Sequence, residues 1–78
     1  MTQFTLILRS RGRIYIRQEA AASPKAALKK LAREGQTKLF RALANEKPAA
    51  IEGLTNCWSC FVRERGKSVL VIIVRTAE

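Results

Sequence analysis

The fold follows from a pattern that occurs twice, as Arg9-Ser10-Arg11-Gly12-Arg13 and as Arg63-Glu64-Arg65-Gly66-Lys67. Each copy reads Arg, any residue, Arg, Gly and a cation, with an apolar stretch before it and a β-branched-rich stretch after it. Glycine in such a place supplies the left-handed backbone of a tight turn. The two copies therefore predict two β-hairpins with the same turn chemistry. In the first copy we expect a three-residue connection, 10–12.

The residues around both copies have the pattern of strands. Apolar and polar side chains alternate along 4–9 and, more sharply, along 13–17, which is the period of a β-strand. Segments 57–63 and 68–75 predict a third and a fourth strand. The run 69–74 is apolar without alternation, so we expect the fourth strand to be central, and to be covered on both faces or to lie at an oligomer interface.

A helical segment is predicted between the two hairpins. Ser23 can cap a helix, and Pro24 suits its first position. Apolar residues follow at helical spacing, namely Ala27, Leu28, Leu31 and Ala32. Gly35 leaves two alternatives open, one bent helix of about twenty residues or two shorter helices. Residues 45–54, with Pro48 and Gly53, read as irregular linkage.

These elements predict one small basic α+β domain over residues 1–78. Its arrangement is ββ-α(α)-ββ, a four-stranded and mainly antiparallel sheet with one helical layer, because a chain this short has room for one modest core. An antiparallel sheet in the order strand 2, 1, 4, 3 brings both hairpin tips to one end. A parallel pairing of strands 2 and 3 would separate the tips. Antiparallel pairs are the commoner kind, so we expect the tips to converge.

The charge favours an acidic partner. Fifteen Lys and Arg against six Glu give a net charge of +9, and histidine is absent. The guanidinium fork fits phosphate oxygens, and an aromatic ring between arginines suits stacked bases of a single strand. The candidate nucleic-acid-binding residues are Arg9, Arg11, Arg13, Tyr15, Arg17, Arg63, Arg65 and Lys67. The alternative is that the Arg and Tyr side chains merely form the solvent face of a half-buried sheet.

A second set of cations lies on the predicted helix. Lys25, Lys29 and Arg33 follow at intervals of four residues, with Lys30 beside them. Like charges at this spacing repel weakly, which a polyanion would relieve. A solvated outer helix face explains the same pattern, and we favour it.

Cys57 and Cys60 have the spacing of a redox or metal motif. Residues three apart on a strand point to opposite faces, and a zinc site normally needs four ligands. We therefore expect two structural thiols, with a redox pair or a zinc shared between two copies as the alternatives. Trp58 is expected to anchor the core or an interface.

Catalysis is not expected. The acidic residues are scattered Glu without any Asp, and no serine has a histidine base, so the sequence predicts neither a catalytic site nor a metal or other cofactor. Without a leader pattern or a long apolar run, we expect no membrane association, and free thiols suggest the cytoplasm.

The favoured function is therefore a non-catalytic nucleic-acid-binding module with low sequence specificity, and the pattern does not distinguish DNA from RNA. The alternative is a protein-interaction or homodimerisation module, in which the fourth strand and Trp58 supply an apolar surface and the charge maintains solubility.

Overall fold

In the part of the chain that the structure describes, one α-helix and a five-stranded antiparallel sheet make up an α+β fold. The computed structural model of the protein describes residues 2–34, 41–64 and 66–77. The elements in chain order are β1 (Thr2–Ser10), β2 (Arg13–Ala21), α1 (Pro24–Glu34), a 3₁₀ helix (Leu43–Asn45), β3 (Ala49–Ala50), β4 (Cys57–Glu64) and β5 (Lys67–Ala77).

The strand order is β2-β1-β5-β4-β3, with every pair antiparallel. The four strands predicted from sequence thus have the expected order, and the long apolar strand β5 is central. The predicted count of four is wrong by one strand, because Ala49 and Ala50 pair with Ser59 and Trp58. Two alanines have neither the length nor the side chains that mark a strand in a sequence.

The core lies between the helical layer and one face of the sheet, which we call the helix-side face. Its buried side chains alternate along the strands, as a half-buried sheet requires. From the sheet they are Phe4, Leu6, Leu8, Ala21, Cys60, Val62, Val69, Val71 and Ile73; from the helical layer they are Ala27, Leu28, Leu31, Ala32 and Leu43. Trp58 packs against this core, with its ring 6.0 Å from that of Phe4 in an edge-to-face arrangement. The opposite face of the sheet is the open face.

Helix α1 begins as its sequence predicts. The Ser23 hydroxyl oxygen accepts a hydrogen bond from the Ala26 N–H at 3.1 Å, which satisfies one of the amides that a helix start leaves without a partner. Pro24 occupies the first helical position. The alternatives at Gly35 concern residues 35–40, which lie outside the described residues.

Both hairpins turn in two residues, so the expected three-residue connection is wrong. Ser10 pairs with Arg13, and Glu64 pairs with Lys67. Arg11 and Gly12 both have left-handed backbone, with φ of 53° and 74°, which is the conformation of a type I′ turn. This turn matches the natural twist of the strands and needs no third residue. In the second hairpin, Gly66 has a φ of 78°.

The two tips lie at the same end of the sheet. Ser10, at the end of β1, is paired with Val69, close to the start of β5. Because β1 and β5 are antiparallel neighbours, the turn that follows β1 and the turn that precedes β5 meet at this end. We call it the tip end.

The face that carries the core can be tested with two neighbouring isoleucines of β5. Ile73 is fully buried on the helix-side face, whereas Ile72 is half-buried on the open face. We expect Ile73→Ala to lower the free energy of unfolding by about 2–5 kcal/mol, since it leaves a cavity, and Ile72→Ala to cost clearly less. Urea denaturation measures both. Equal losses would contradict a core confined to the helix-side face.

Candidate nucleic-acid interface

The tip end collects five of the six tip cations predicted from sequence. Arg9, Arg11, Arg13, Arg63 and Lys67 are all exposed. They belong to four adjacent strands and their turns, and at about 4.8 Å between strands this edge is about 14 Å wide. Arg65 lies outside the described residues. The structure thus brings the two Arg-rich motifs together into one basic edge, which we call the tip cluster.

Arg11 has an unusual backbone for its residue type. Its φ of 53° lies in the left-handed region, where a side chain with a Cβ costs about 1–2 kcal/mol. Asparagine and glycine are the residues that type I′ turns favour at this position. The hairpin therefore carries an arginine at its extreme tip where another residue would suit the turn better.

Arg13, Tyr15 and Arg17 share one face of β2, as the alternation predicts. Tyr15 is paired with buried Leu8, so these side chains lie on the helix-side face at its margin. Tyr15 is nevertheless 43 % exposed, and both arginines are exposed, because β2 is the outermost strand. The tyrosine between two guanidinium groups is accessible, but it does not share the open face with Arg9.

A carboxylate pair lies farther along the same margin. Burial raises the pKa of Glu19, and the hydrogen bond and charge of Glu34 raise it further, whereas Lys30 and Arg17 act in the opposite direction. The two acids thus face each other, and the nearby cations only partly balance them.

The open face has three zones along the strands. At the tip end it carries Arg9 and Arg63. In the middle it is apolar, with Ile14 and Ile16 each 65 % exposed and Phe61 54 % exposed. The two zones meet at Arg9, which shares one cross-strand row with Ile14, Leu70 and Phe61. The next row is apolar apart from Ser59 and consists of Ile16, Ile7, Ile72 and Ser59.

Hydroxyl and amide groups form the third zone, at the end away from the tips. Gln18 Nε2 donates to Thr5 Oγ1 at 3.4 Å, the Thr5 hydroxyl donates to Thr76 Oγ1 at 3.2 Å, and the Thr76 hydroxyl donates to the Gln3 carbonyl at 3.3 Å. Among the residues that the structure describes, the charge of the open face is therefore confined to the tip end.

Sequence reasoning missed the exposed Phe61. The sequence did contain an indication, because alternate residues of a strand point to opposite faces. Phe61 lies between Cys60 and Val62, both of which are buried, and so points to the other face of β4. The alternation of side chains assigns residues to the two faces of a strand, but it does not show which face the helix covers.

Two of the helix cations hold the fold together. Lys25 Nζ donates to the Ala44 carbonyl at 2.9 Å and also to the Glu46 carbonyl, at the end of the 3₁₀ helix. Lys30 Nζ donates to the carbonyl of Ala20 in β2. Only Lys29 and Arg33 of this group lie exposed on the outer helix face. The predicted cation stripe is thus divided between structural and solvated members.

The two thiols lie on opposite faces of β4. Cys60 is buried in the core and Cys57 is half-buried on the open face. Three residues of strand separate their Cα atoms by about 10 Å, whereas a disulfide needs less than about 7 Å. Burial raises the pKa of the Cys60 thiol, the charge of Glu46 adds to this, and Lys25 opposes it. A raised pKa disfavours the reactive thiolate.

Metal ligands do not cluster in the part of the chain that the structure describes: no three His, Cys, Asp or Glu side chains come together there. Among the same residues, no helix has the length and apolar character that crossing a membrane requires. No protein-family model, curated protein or solved structure matches the chain. Inference about function therefore depends on the geometry and charge of the surfaces described above.

A packing role for the thiols makes a measurable prediction. Cys60→Ser places a polar group in the core and should lower the free energy of unfolding by about 1–3 kcal/mol, with Cys57→Ser as the milder matched control. Both thiols should titrate with a disulfide reagent in unfolded protein. An intramolecular disulfide in the native protein, or stoichiometric bound zinc, would contradict this role.

Proposed function

We propose that the protein is a small non-catalytic module that binds nucleic acid through its phosphate backbone, with low sequence specificity. The observation that carries the proposal is the convergence of the two Arg-rich turns into one tip cluster. The net charge of +9 supports an anionic partner of some kind, and the cluster supplies the place where it would bind.

The width of the tip cluster suits a polyphosphate. Along the axis of a duplex each strand carries a phosphate about every 3.4 Å, so an edge of about 14 Å matches the axial rise of about four nucleotides. Among the described residues, Arg9, Arg63 and Lys67 flank the turn residue Arg11, so several guanidinium groups and an ammonium can contact neighbouring phosphates. Contacts of this kind fix the position of a strand but do not read its bases, which accounts for the low specificity that we propose.

The backbone of Arg11 favours a role beyond folding. A residue held in a sparsely populated conformation costs stability, and such costs concentrate at functional positions. Arginine contributes nothing to a type I′ turn that asparagine would not supply at lower cost. An exposed cation at the tip is the property that asparagine lacks.

Tyr15 extends the proposed site along the margin of β2. Its exposed ring between Arg13 and Arg17 offers a stacking surface for a base, while the arginines follow the backbone. A protein-interaction module is the second candidate, and the exposed apolar residues Ile14 and Ile16 favour it.

Substituting the turn arginine separates binding from folding. We expect Arg11→Asn to raise the free energy of unfolding by up to about 1 kcal/mol, because asparagine suits the left-handed position. The same variant should bind mixed-sequence DNA and RNA more weakly. Wild type should show a slope of log affinity against log salt of about −3 to −5, and Arg11→Asn should flatten it by about 0.7–0.9, the value for one lost phosphate contact.

Matched variants on other surfaces complete the experiment. Arg63→Gln should flatten the slope by a similar amount, whereas Lys29→Gln and Arg33→Gln on the helix should change it little. Tyr15→Ala should weaken single-strand binding by about 1–3 kcal/mol with an unchanged slope, since stacking displaces no counterion. If the tip and helix variants respond alike, or if no nucleic acid binds below about 1 mM at low salt, the proposed function is wrong.

A further inference from the structure

The two edges of the sheet are very different. On one side the sheet ends in β3, which has two residues. On the other side it ends in β2, which has nine residues and is exposed throughout 13–18. Natural proteins usually shorten, charge or cover a free edge, because its unpaired backbone groups attract another strand. The β3 edge is protected by its shortness, whereas β2 exposes Ile14 and Ile16 on one face and Tyr15 on the other.

The backbone of β2 offers three residues for pairing. A two-residue turn closes on a hydrogen-bonded pair, here Ser10 with Arg13, and bonding alternates from there along the antiparallel ladder. Odd-numbered residues of β2 therefore turn their N–H and C=O groups towards β1, and even-numbered residues turn theirs outwards. Lys30 Nζ donates a hydrogen bond to the outward carbonyl of Ala20. Among the described residues, the outward groups of Ile14, Ile16 and Gln18 are left between the turn and this lysine.

We propose that β2 is a homodimerisation edge, which pairs antiparallel with β2 of a second copy so that Ile16 lies opposite the partner's Ile16. The three outward-facing residues are symmetric about Ile16. Ile14 then pairs with the partner's Gln18, and Gln18 with the partner's Ile14. Each backbone hydrogen bond between the copies then has an equivalent related by a two-fold axis, as a symmetric dimer requires.

Charge complementarity favours this register over its two immediate neighbours. It places Arg13 opposite the partner's Glu19 and Tyr15 opposite the partner's Arg17, each pair occurring twice. Opposite charges and cation–aromatic pairs stabilise facing strands. Moving the axis to Tyr15 would set Arg13 against the partner's Arg17, and moving it to Arg17 would set two Arg17 side chains together. Both shifted registers are disfavoured because like charges would face each other.

The apolar side chains fit the same register. On the open face, Ile72, Ile7 and Ile16 form one cross-strand row within a copy. The proposed axis continues this row into the partner's Ile16, Ile7 and Ile72. β-Branched neighbours pack well across strands, so the exposed Ile16 would gain the partner's Ile16 as its direct neighbour, while Ile14 would lie opposite the partner's Gln18.

Glu19 gains a counterion in this arrangement. Within one copy it faces Glu34, and its pKa is raised by burial and by that neighbouring acid. The titratable and charged groups that face it there are Glu34, Lys30 and Arg17. The partner's Arg13 would add a cation on the side that a single copy leaves to solvent.

A charge-swap experiment tests the pairing without any nucleic acid. We expect wild type to form a dimer at or below about 1 mM in sedimentation velocity. Arg13→Glu and Glu19→Arg should each weaken dimerisation by about tenfold or more. In a dimer of two identical variant copies, positions 13 and 19 carry the same charge, so both cross-strand pairs are repulsive. A mixture of the two variants should form a heterodimer with affinity near wild type, since both pairs then have opposite charges. This recovery also shows that neither variant is misfolded.

A backbone variant tests the edge itself. The N–H of Ile16 points outwards, so Ile16→Pro removes no bond to β1 but blocks the central pair of the proposed ladder. It should be monomeric with an unchanged circular dichroism spectrum. Phe61→Gln, on the open face and away from the edge, is the control and should dimerise as wild type does.

Three outcomes would overturn the proposal. They are a wild type that is strictly monomeric at about 1 mM, a mixture of the charge variants without recovery, and loss of the dimer in Phe61→Gln but not in Ile16→Pro. The last would show face-to-face stacking of sheets instead. None depends on nucleic-acid binding, so this proposal and the proposed function can fail separately.

Discussion

The pairing of β1 with β5 is the constraint on which the rest of the structure depends. It joins two hairpins that are far apart in sequence into one sheet, and it aligns the apolar faces of both strands under the helix. The same register sets Ser10 beside Val69 and so brings the two turns to one end. The basic tip cluster is therefore a consequence of how the core is built, and no separate interaction is needed to assemble it.

Local patterns predicted most of the fold. Strand alternation, the repeated glycine turns and the Ser23-Pro24 helix start each act over a few residues, and the structure has them at or near the expected positions. β3 was not predicted, because Ala49 and Ala50 form a strand only by pairing with the free edge of β4. The hydrogen bonds from Lys25 and Lys30 to backbone carbonyls were not predictable either, because they depend on where residues distant in sequence lie.

The candidate site was predictable as a set of residues but not as a surface. Alternation showed that Arg13, Tyr15 and Arg17 share a face, yet it did not show that this is the face beneath the helix. The outcome depends on the width of the helical layer, which buries the central inward side chains of β1, β5 and β4 and leaves residues 13–18 of β2 exposed. In the proposed dimer the two-fold axis would send the two tip clusters to opposite ends, which limits repulsion between their charges.

The pairing of β1 with β5 also determines when the molecule can fold. The hydroxyls of Thr5 and Thr76 meet across a sequence separation of 71 residues, so the chain loses much loop entropy before its central strands gain contacts. A domain with such distant partners is expected to fold in about milliseconds to seconds, more slowly than a helical bundle of similar length. Until β5 arrives, the first hairpin has two unpaired edges instead of one. Nascent chains would therefore be most prone to aggregation just before the last strand emerges from the ribosome.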